Sequence, residues 1–181
     1  MRLFVAIEIS PDIRARITDF ILRTQPCLTN ARWGRPEGLH ITLKFLGNVA
    51  DQRRNAIEEA LGRIASRQFD VSLQNIGVFP NARSPRVLWV GIQSGPELAN
   101  LATIVDGVLV QLGFEREKRA FTPHVTLARF KEGSRTQNVS SALPESNPSF
   151  GTMTATEFHL YESKLSPKGA SYSKLASFAL K

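Results

Sequence analysis

His40-Ile-Thr-Leu and His124-Val-Thr-Leu repeat one tetrapeptide frame, and together they take two of the chain's three histidines. Each sits in a β-rich run, "GLHITLKFLG" (38–47) and "PHVTLARF" (123–130). Side chains alternate across a strand, so a histidine and a threonine two positions apart share a face. In the first copy strict alternation puts His40, Thr42 and Lys44 on one side and Ile41, Leu43 and Phe45 on the other. A fold for this chain has to present that polar pair twice, from two similar strands. That requirement points to an internal duplication.

The flanking pattern agrees. "RLFVAIEI" reads as a strand, and Ser10-Pro11 as a helix start with Ser10 as cap, followed by Ile13, Ile17, Phe20 and Ile21 at helical spacing to about Thr24. After the first motif strand, Asp51 opens a second helix with Ala56, Ile57, Ala60, Leu61 and Ile64 as its buried stripe. "FDVSLQNIGVF" and "RVLWVGI" are strands joined through "PNARSP" as a hairpin. A third helix begins near Pro96, with Leu98, Leu101, Ile104, Val105 and Val108 inward. "PHVTLARF" follows, then a polar, loop-like stretch, "KEGSRTQNVSSALPESNPS", with one helical turn around Val139. "ATEFHLYES" and "SYSKLASFAL" close the chain as strands around the turn "KLSPKGA". Strand, helix and motif strand thus recur in order in both halves. The expected architecture is α+β: one bilobal domain over 1–181, with two antiparallel sheets facing across a cleft and helices outside.

Charge narrows the partners. The chain of 181 residues carries 23 Lys+Arg against 16 Asp+Glu, a formal +7, which favours anionic ligands and above all nucleotides or nucleic acid. No segment has the apolar length of a membrane span. "MRLFVAIEIS" makes a poor signal peptide because Glu8 interrupts it. The single cysteine, Cys27, rules out an internal disulfide and a multi-cysteine metal site, so the expected compartment is a reducing cytoplasm.

Two imidazoles can divide the work of proton transfer near neutral pH, one accepting while the other donates. Threonine hydroxyls are uncharged donors for a nonbridging oxygen. Such a set suits in-line displacement at a phosphodiester: one histidine activates water, the other protonates the leaving oxygen. Neither His-x-Thr brings a carboxylate or second imidazole at ligand spacing, so no metal and no cofactor are expected.

These residues, with "RWGRPEGLHITLKFLGNV", "GVFPNARSPRVLWVGI", "FTPHVTLARF" and "FHLYESKLSPKGASY", resemble the two-histidine phosphoesterase superfamily. In particular they resemble the RNA 2′,3′-cyclic phosphodiesterases, also called 2′–5′ RNA ligases, along nearly the whole chain. The resemblance implies a bilobal fold with the motifs facing across a cleft and metal-independent opening of ribose 2′,3′-cyclic phosphates to 2′-phosphates. In some members it also implies reversible 2′–5′ joining. It implies His40 and His124 as catalytic residues and Thr42 and Thr126 as substrate-binding, with Arg129 matching an arginine that often follows the second motif. The partners implied are RNA ends or small nucleotides bearing a 2′,3′-cyclic phosphate; a monomer is expected, with no obligate protein partner evident. Strict alternation turns Arg129 toward the Val125 and Leu127 side, away from His124, so it reaches a phosphate only if the strand bulges, twists or ends there. Of the two histidines, His124 is expected to activate water and His40 to protonate the departing 3′-oxygen.

Other residues carry less. Phe45 reads as core and Trp33 as either core or a base-stacking ring. Arg83 and Arg86 fit a solvated turn or an RNA backbone contact, and Lys44 a phosphate-facing cation or a strand-end surface residue. His159 lacks a following threonine and reads as structural, Cys27 has no histidine partner, and Tyr161 is left open. Two other classes remain: a non-catalytic nucleotide or RNA-binding module, and a structural protein whose motifs brace two sheets. Binding needs no acid–base pair, and bracing explains neither the threonines nor the charge.

Overall fold

The computed structural model describes residues 1–131, 139–144, 147–166 and 169–181. In chain order the elements are β1 (Arg2–Glu8), α1 (Pro11–Thr24), β2 (Ala31–Trp33), β3 (His40–Asn48), α2 (Arg54–Gly62), β4 (Phe69–Phe79) and β5 (Val87–Ser94). There follow α3 (Pro96–Gln111), β6 (His124–Phe130), α4 (Val139–Ala142), β7 (Ser149–Ala155), β8 (Glu157–Ser166) and β9 (Gly169–Ala179). Most of the polar stretch after β6, residues 132–138 and 145–146, lies outside the described residues, as do two residues of the last turn, Pro167 and Lys168.

Local signals set most boundaries. Pro11 occupies the first helical position of α1, where its missing N–H costs nothing. Ser10 holds the cap position with extended backbone, but its side chain makes no capping bond, contrary to the expected cap. Asp51 starts a single 3-10 turn, and α2 proper begins at Arg54. There Ile57 and Leu61 are buried, whereas Ala56 is exposed. On α3 the stripe is Leu98, Leu101, Ala102, Val105 and Leu109; Ile104 lies outward, 39% exposed, and Val108 is half-buried.

Two antiparallel sheets result, one in the order β3-β1-β8-β9 and the other β2-β6-β5-β4-β7. The sheets are not the sequential halves. The first half sends β2 and β4 to the second sheet, while the chain's last two strands join the first. Strands β2 and β7 were not anticipated. The helices lie outside and tie the sheets together: α1, which follows β1, packs against β7, and α3, which follows β5, packs against β3. One apolar cluster fills the space under both sheets, from Val5, Ile7 and Ile41 through Phe20 and Leu101 to Val90 and Val125. The opposite face of each sheet is left to line a cleft.

Candidate active site

A β-bulge in each motif strand decides what the cleft contains. Along β3, Thr42 pairs with Ala6 and Lys44 with Val5, which leaves Leu43 as the extra residue. Along β6, Thr126 pairs with Trp89 and Ala128 with Leu88, which leaves Leu127 as the extra residue. A one-residue insertion flips the side-chain phase beyond it. His, Thr and the residue three past Thr therefore share a face in both copies: His40, Thr42 and Phe45, and His124, Thr126 and Arg129. All six line one cleft of about 480 Å³. The condition on Arg129, a bulge before it, is met.

The same bulge corrects two expectations. Phe45 is not core; it is 62% exposed on the cleft side. Lys44 does not share a face with His40. It is buried under the sheet, where its Nζ donates to Asp106 Oδ1 on α3 at 2.5 Å and to the Glu115 carbonyl at 2.8 Å.

Both histidines are anchored alike. His40 Nδ1 lies 2.6 Å from the Gly38 carbonyl oxygen, and His124 Nδ1 lies 2.7 Å from that of Thr122. A carbonyl can only accept, so each Nδ1 carries the hydrogen and each Nε2 is left for chemistry. Aromatic rings hold the imidazoles in place. Phe4 lies 4.7 Å from the His40 ring and Tyr172 meets it edge-on at 5.1 Å; Phe79 meets His124 edge-on at 5.1 Å. Burial lowers the His40 pKa to about 4, against the raising effect of the Gly38 hydrogen bond, and electrostatic interaction with His124 and Arg129 acts in the same direction as burial.

The cleft lining holds four arginines, Arg2, Arg32, Arg35 and Arg129, and among the described residues no carboxylate. Sequence reasoning missed the first three. Arg32 escapes pattern reading because a three-residue strand such as β2 gives no readable alternation. Trp33 also lines the cleft, half-buried against the core. Arg83 and Arg86 sit in the β4–β5 connection and are not among the lining residues. Tyr161 is buried, stacked on Phe4 at 5.2 Å behind His40. Cys27 is exposed.

His159 takes a structural place: it is buried, with Nδ1 2.9 Å from Ser177 Oγ and Nε2 3.5 Å from Glu157. It borders a second cavity of about 340 Å³ with Glu8 and Arg14. Hydrogen bonds from Lys174 and Arg14 hold the Glu8 carboxyl down at about 2. Among the described residues, no group of three or more His, Cys, Asp or Glu side chains is placed to hold a metal ion.

Comparison with known proteins gives a consistent picture. A family model described as LigT like phosphoesterase matches the chain twice, over residues 7–89 and 90–172. An RNA 2′,3′-cyclic phosphodiesterase of Archaeoglobus fulgidus is 38% identical over 179 residues, which is 98% of this chain and 99% of that one. An RNA 2′,3′-cyclic phosphodiesterase of Escherichia coli is 31% identical over 184 residues, 99% and 96% of the two chains. The crystal structure of E. coli LigT complexed with 3′-AMP matches with a TM-score of 0.81 at 31% identity, over 99% of this chain and 97% of that one.

Proposed function

Because the chain belongs to the LigT-like phosphoesterase family, a family of hydrolases, we propose that it opens 2′,3′-cyclic phosphates at RNA ends to 2′-phosphates, with His40 and His124 as an acid–base pair. The observation that carries this reading is a pair of imidazoles, each with Nδ1 fixed on a backbone carbonyl, sharing one cleft with two threonines and an arginine and, among the described residues, no carboxylate. A phosphodiester anion fits such a cleft, and a cyclic one requires ribose, because the 2′-oxygen is part of the ring.

In the proposed reaction His124 Nε2 takes a proton from water as the oxygen attacks phosphorus. The P–O3′ bond breaks in line, and O3′ takes the proton on His40 Nε2, leaving the phosphate on O2′. Thr42, Thr126 and Arg129 hold the nonbridging oxygens as charge builds on them. His40 is neutral in the free protein at pH 7, since its pKa is about 4. To act as the donor it has to gain a proton as substrate binds, and the phosphate's negative charge supplies the pull by stabilising the imidazolium. With the 5′-hydroxyl of a second RNA in place of water, the same sequence breaks P–O3′ and forms a 2′–5′ linkage, and by microscopic reversibility its reverse cleaves one.

No proton-transfer step requires a metal ion, and the reading suits a monomer in a reducing compartment. No helix among the described residues is long and apolar enough to cross a membrane. The test uses purified protein, EDTA and an RNA oligonucleotide ending in a 2′,3′-cyclic phosphate. Conversion to the 2′-phosphate is expected, and changing either motif histidine abolishes it. Formation of the 3′-phosphate overturns the proposed regiochemistry, and no turnover across acid to mildly basic pH overturns the proposal and favours a binding module.

A further inference from the structure

Arg32 and Arg129 stand directly opposite each other on neighbouring antiparallel strands, β2 and β6. Directly opposed residues share a face, with Cβ atoms about 5 Å apart, and like charges in that position are destabilising. Both side chains line the cleft. Among the described residues neither forms an ion pair with a carboxylate, and Arg32 reaches only the Ser166 carbonyl oxygen, at 3.5 Å. Among the described residues nothing offsets that repulsion, and an anion held between the strands would relieve it.

The two arginines take different places on the sheet, which suits two phosphates better than one. Arg129 stands on the same strand face as Thr126, and its charge is felt by His40 across the cleft, which places it at the reacting phosphate. Arg32 lies one strand further out, toward the sheet edge, because among the described strands β2 pairs only with β6. The chain also spends structure on holding that edge strand. Gly34 N–H, just past β2, donates to the carbonyl of the bulged Leu127 at 2.8 Å, which fastens β2 to the very bulge that turns Arg129 inward.

We propose that Arg32 is a specificity-determining residue that binds a second phosphate, the one on the 5′ side of the terminal nucleotide. The preferred substrate is then the end of a polynucleotide, or a 5′-phosphorylated nucleotide, rather than a bare cyclic mononucleotide. This rests on the phosphodiesterase reading above and narrows its substrate class. A guanidinium–phosphate pair is charge-assisted and bidentate, and its loss is felt mainly in binding.

The experiment compares kcat/KM for three substrates: adenosine 2′,3′-cyclic phosphate, the same nucleotide with a 5′-phosphate, and the dinucleotide ApA ending in a 2′,3′-cyclic phosphate. The wild-type protein is expected to favour the dinucleotide over the bare nucleotide by about tenfold or more, carried in KM. In Arg32→Ala that ratio collapses toward one, and Arg32→Lys keeps part of it. The melting temperature of Arg32→Ala is equal to or above wild type, because a like-charge neighbour has gone, so the loss is not unfolding. The 5′-phosphorylated nucleotide is expected to behave like the dinucleotide; if it matches the bare nucleotide, the second-phosphate site is overturned. A wild-type ratio near one, or an equal loss on all three substrates in Arg32→Ala, overturns the proposal while leaving the phosphodiesterase reading intact. No turnover of any of the three by wild type overturns both.

Discussion

Leu43 and Leu127 hold equivalent places, each the residue after a His-x-Thr and each the unpaired residue of a β-bulge. The bulge turns the next residue under the sheet and the one after it into the cleft. The two copies use that turn differently. The first buries Lys44 and offers the ring of Phe45; the second buries Ala128 and offers the charge of Arg129. One backbone device, repeated, gives the cleft an apolar wall on one side and a cationic wall on the other.

Lys44 is therefore expected to matter for stability and not for phosphate. Lys44→Met removes the 2.5 Å partner of Asp106, a carboxylate only 14% exposed. Breaking a buried pair from one side is costly, but Arg116 at 3.8 Å and the Glu117 N–H at 3.1 Å remain for Asp106, so the loss should be about 2 kcal/mol. Urea denaturation measures it, with kcat/KM on a cyclic phosphate expected within about twofold of wild type. A hundredfold activity loss at unchanged stability would restore Lys44 to the phosphate site.

Removal of either imidazole should cost about 10²–10⁴ in kcat. Thr42→Val and Thr126→Val each remove one hydrogen bond to a charged oxygen, worth about tenfold to a hundredfold. The double histidine variant should fall little further than the worse single one, because the two act as a unit. Single-turnover rates on a cyclic-phosphate end read all of these. Near-wild-type rates in His40→Ala or His124→Ala would end the paired mechanism.

What could be read from the sequence follows from what periodicity encodes. Ser10-Pro11 fixed the start of α1 because proline is tolerated only at a helix's first turn, and the duplicated His-x-Thr placed both motif strands. Strict alternation then failed at Leu43, since a bulge leaves no mark in residue types, and Phe45 and Lys44 were assigned to each other's sides. Arg129 comes from the family resemblance and runs against alternation, and the bulge at Leu127 resolves that conflict. β2 and Arg32 were not: three residues paired to one neighbour owe their strand character to β6 and not to their own pattern. The exchange of strands between the halves, with β8 and β9 joining β1 and β3, is set by packing across the shared core, which local pattern does not carry.

Gly77 is required on β4 for a steric reason. A Cβ there would overlap the Trp89 indole, which stands on the neighbouring strand and pairs in register with Gly77 on one side and Thr126 on the other. Trp89 is also 6.3 Å from the His124 ring. Gly77→Ala should cost about 1–3 kcal/mol from overpacking. By pushing Trp89 toward His124 it should also lower kcat more than it raises KM. Thermal melting and steady-state kinetics test the two halves of this. A variant with wild-type kcat would mean that Trp89 moves away from the cleft instead.

Acid should reveal His40 twice. Its pKa is near 6.5 in the unfolded chain and about 4 in the folded protein, so between those values the unfolded state binds the extra proton. Stability is then greatest above 6.5 and declines as pH falls toward 4, by at most about 3 kcal/mol for this group. His159, lowered mainly by burial, acts in the same sense. Glu8, at about 2 against an ordinary 4.5, withdraws its contribution only below 4.5, so the window from 6.5 to 4.5 belongs to the histidines. In His40→Gln the slope of unfolding free energy against pH in that window should shrink, leaving the part due to His159. The second signature is in the bound state. If the phosphate charge protonates His40 for its role as donor, its imidazole resonances should titrate near 4 in the free protein and well above that with a 2′-nucleotide in the cleft. An imidazole whose titration the nucleotide leaves near 4 would remove the basis for substrate-driven protonation and give the donor's part to His124.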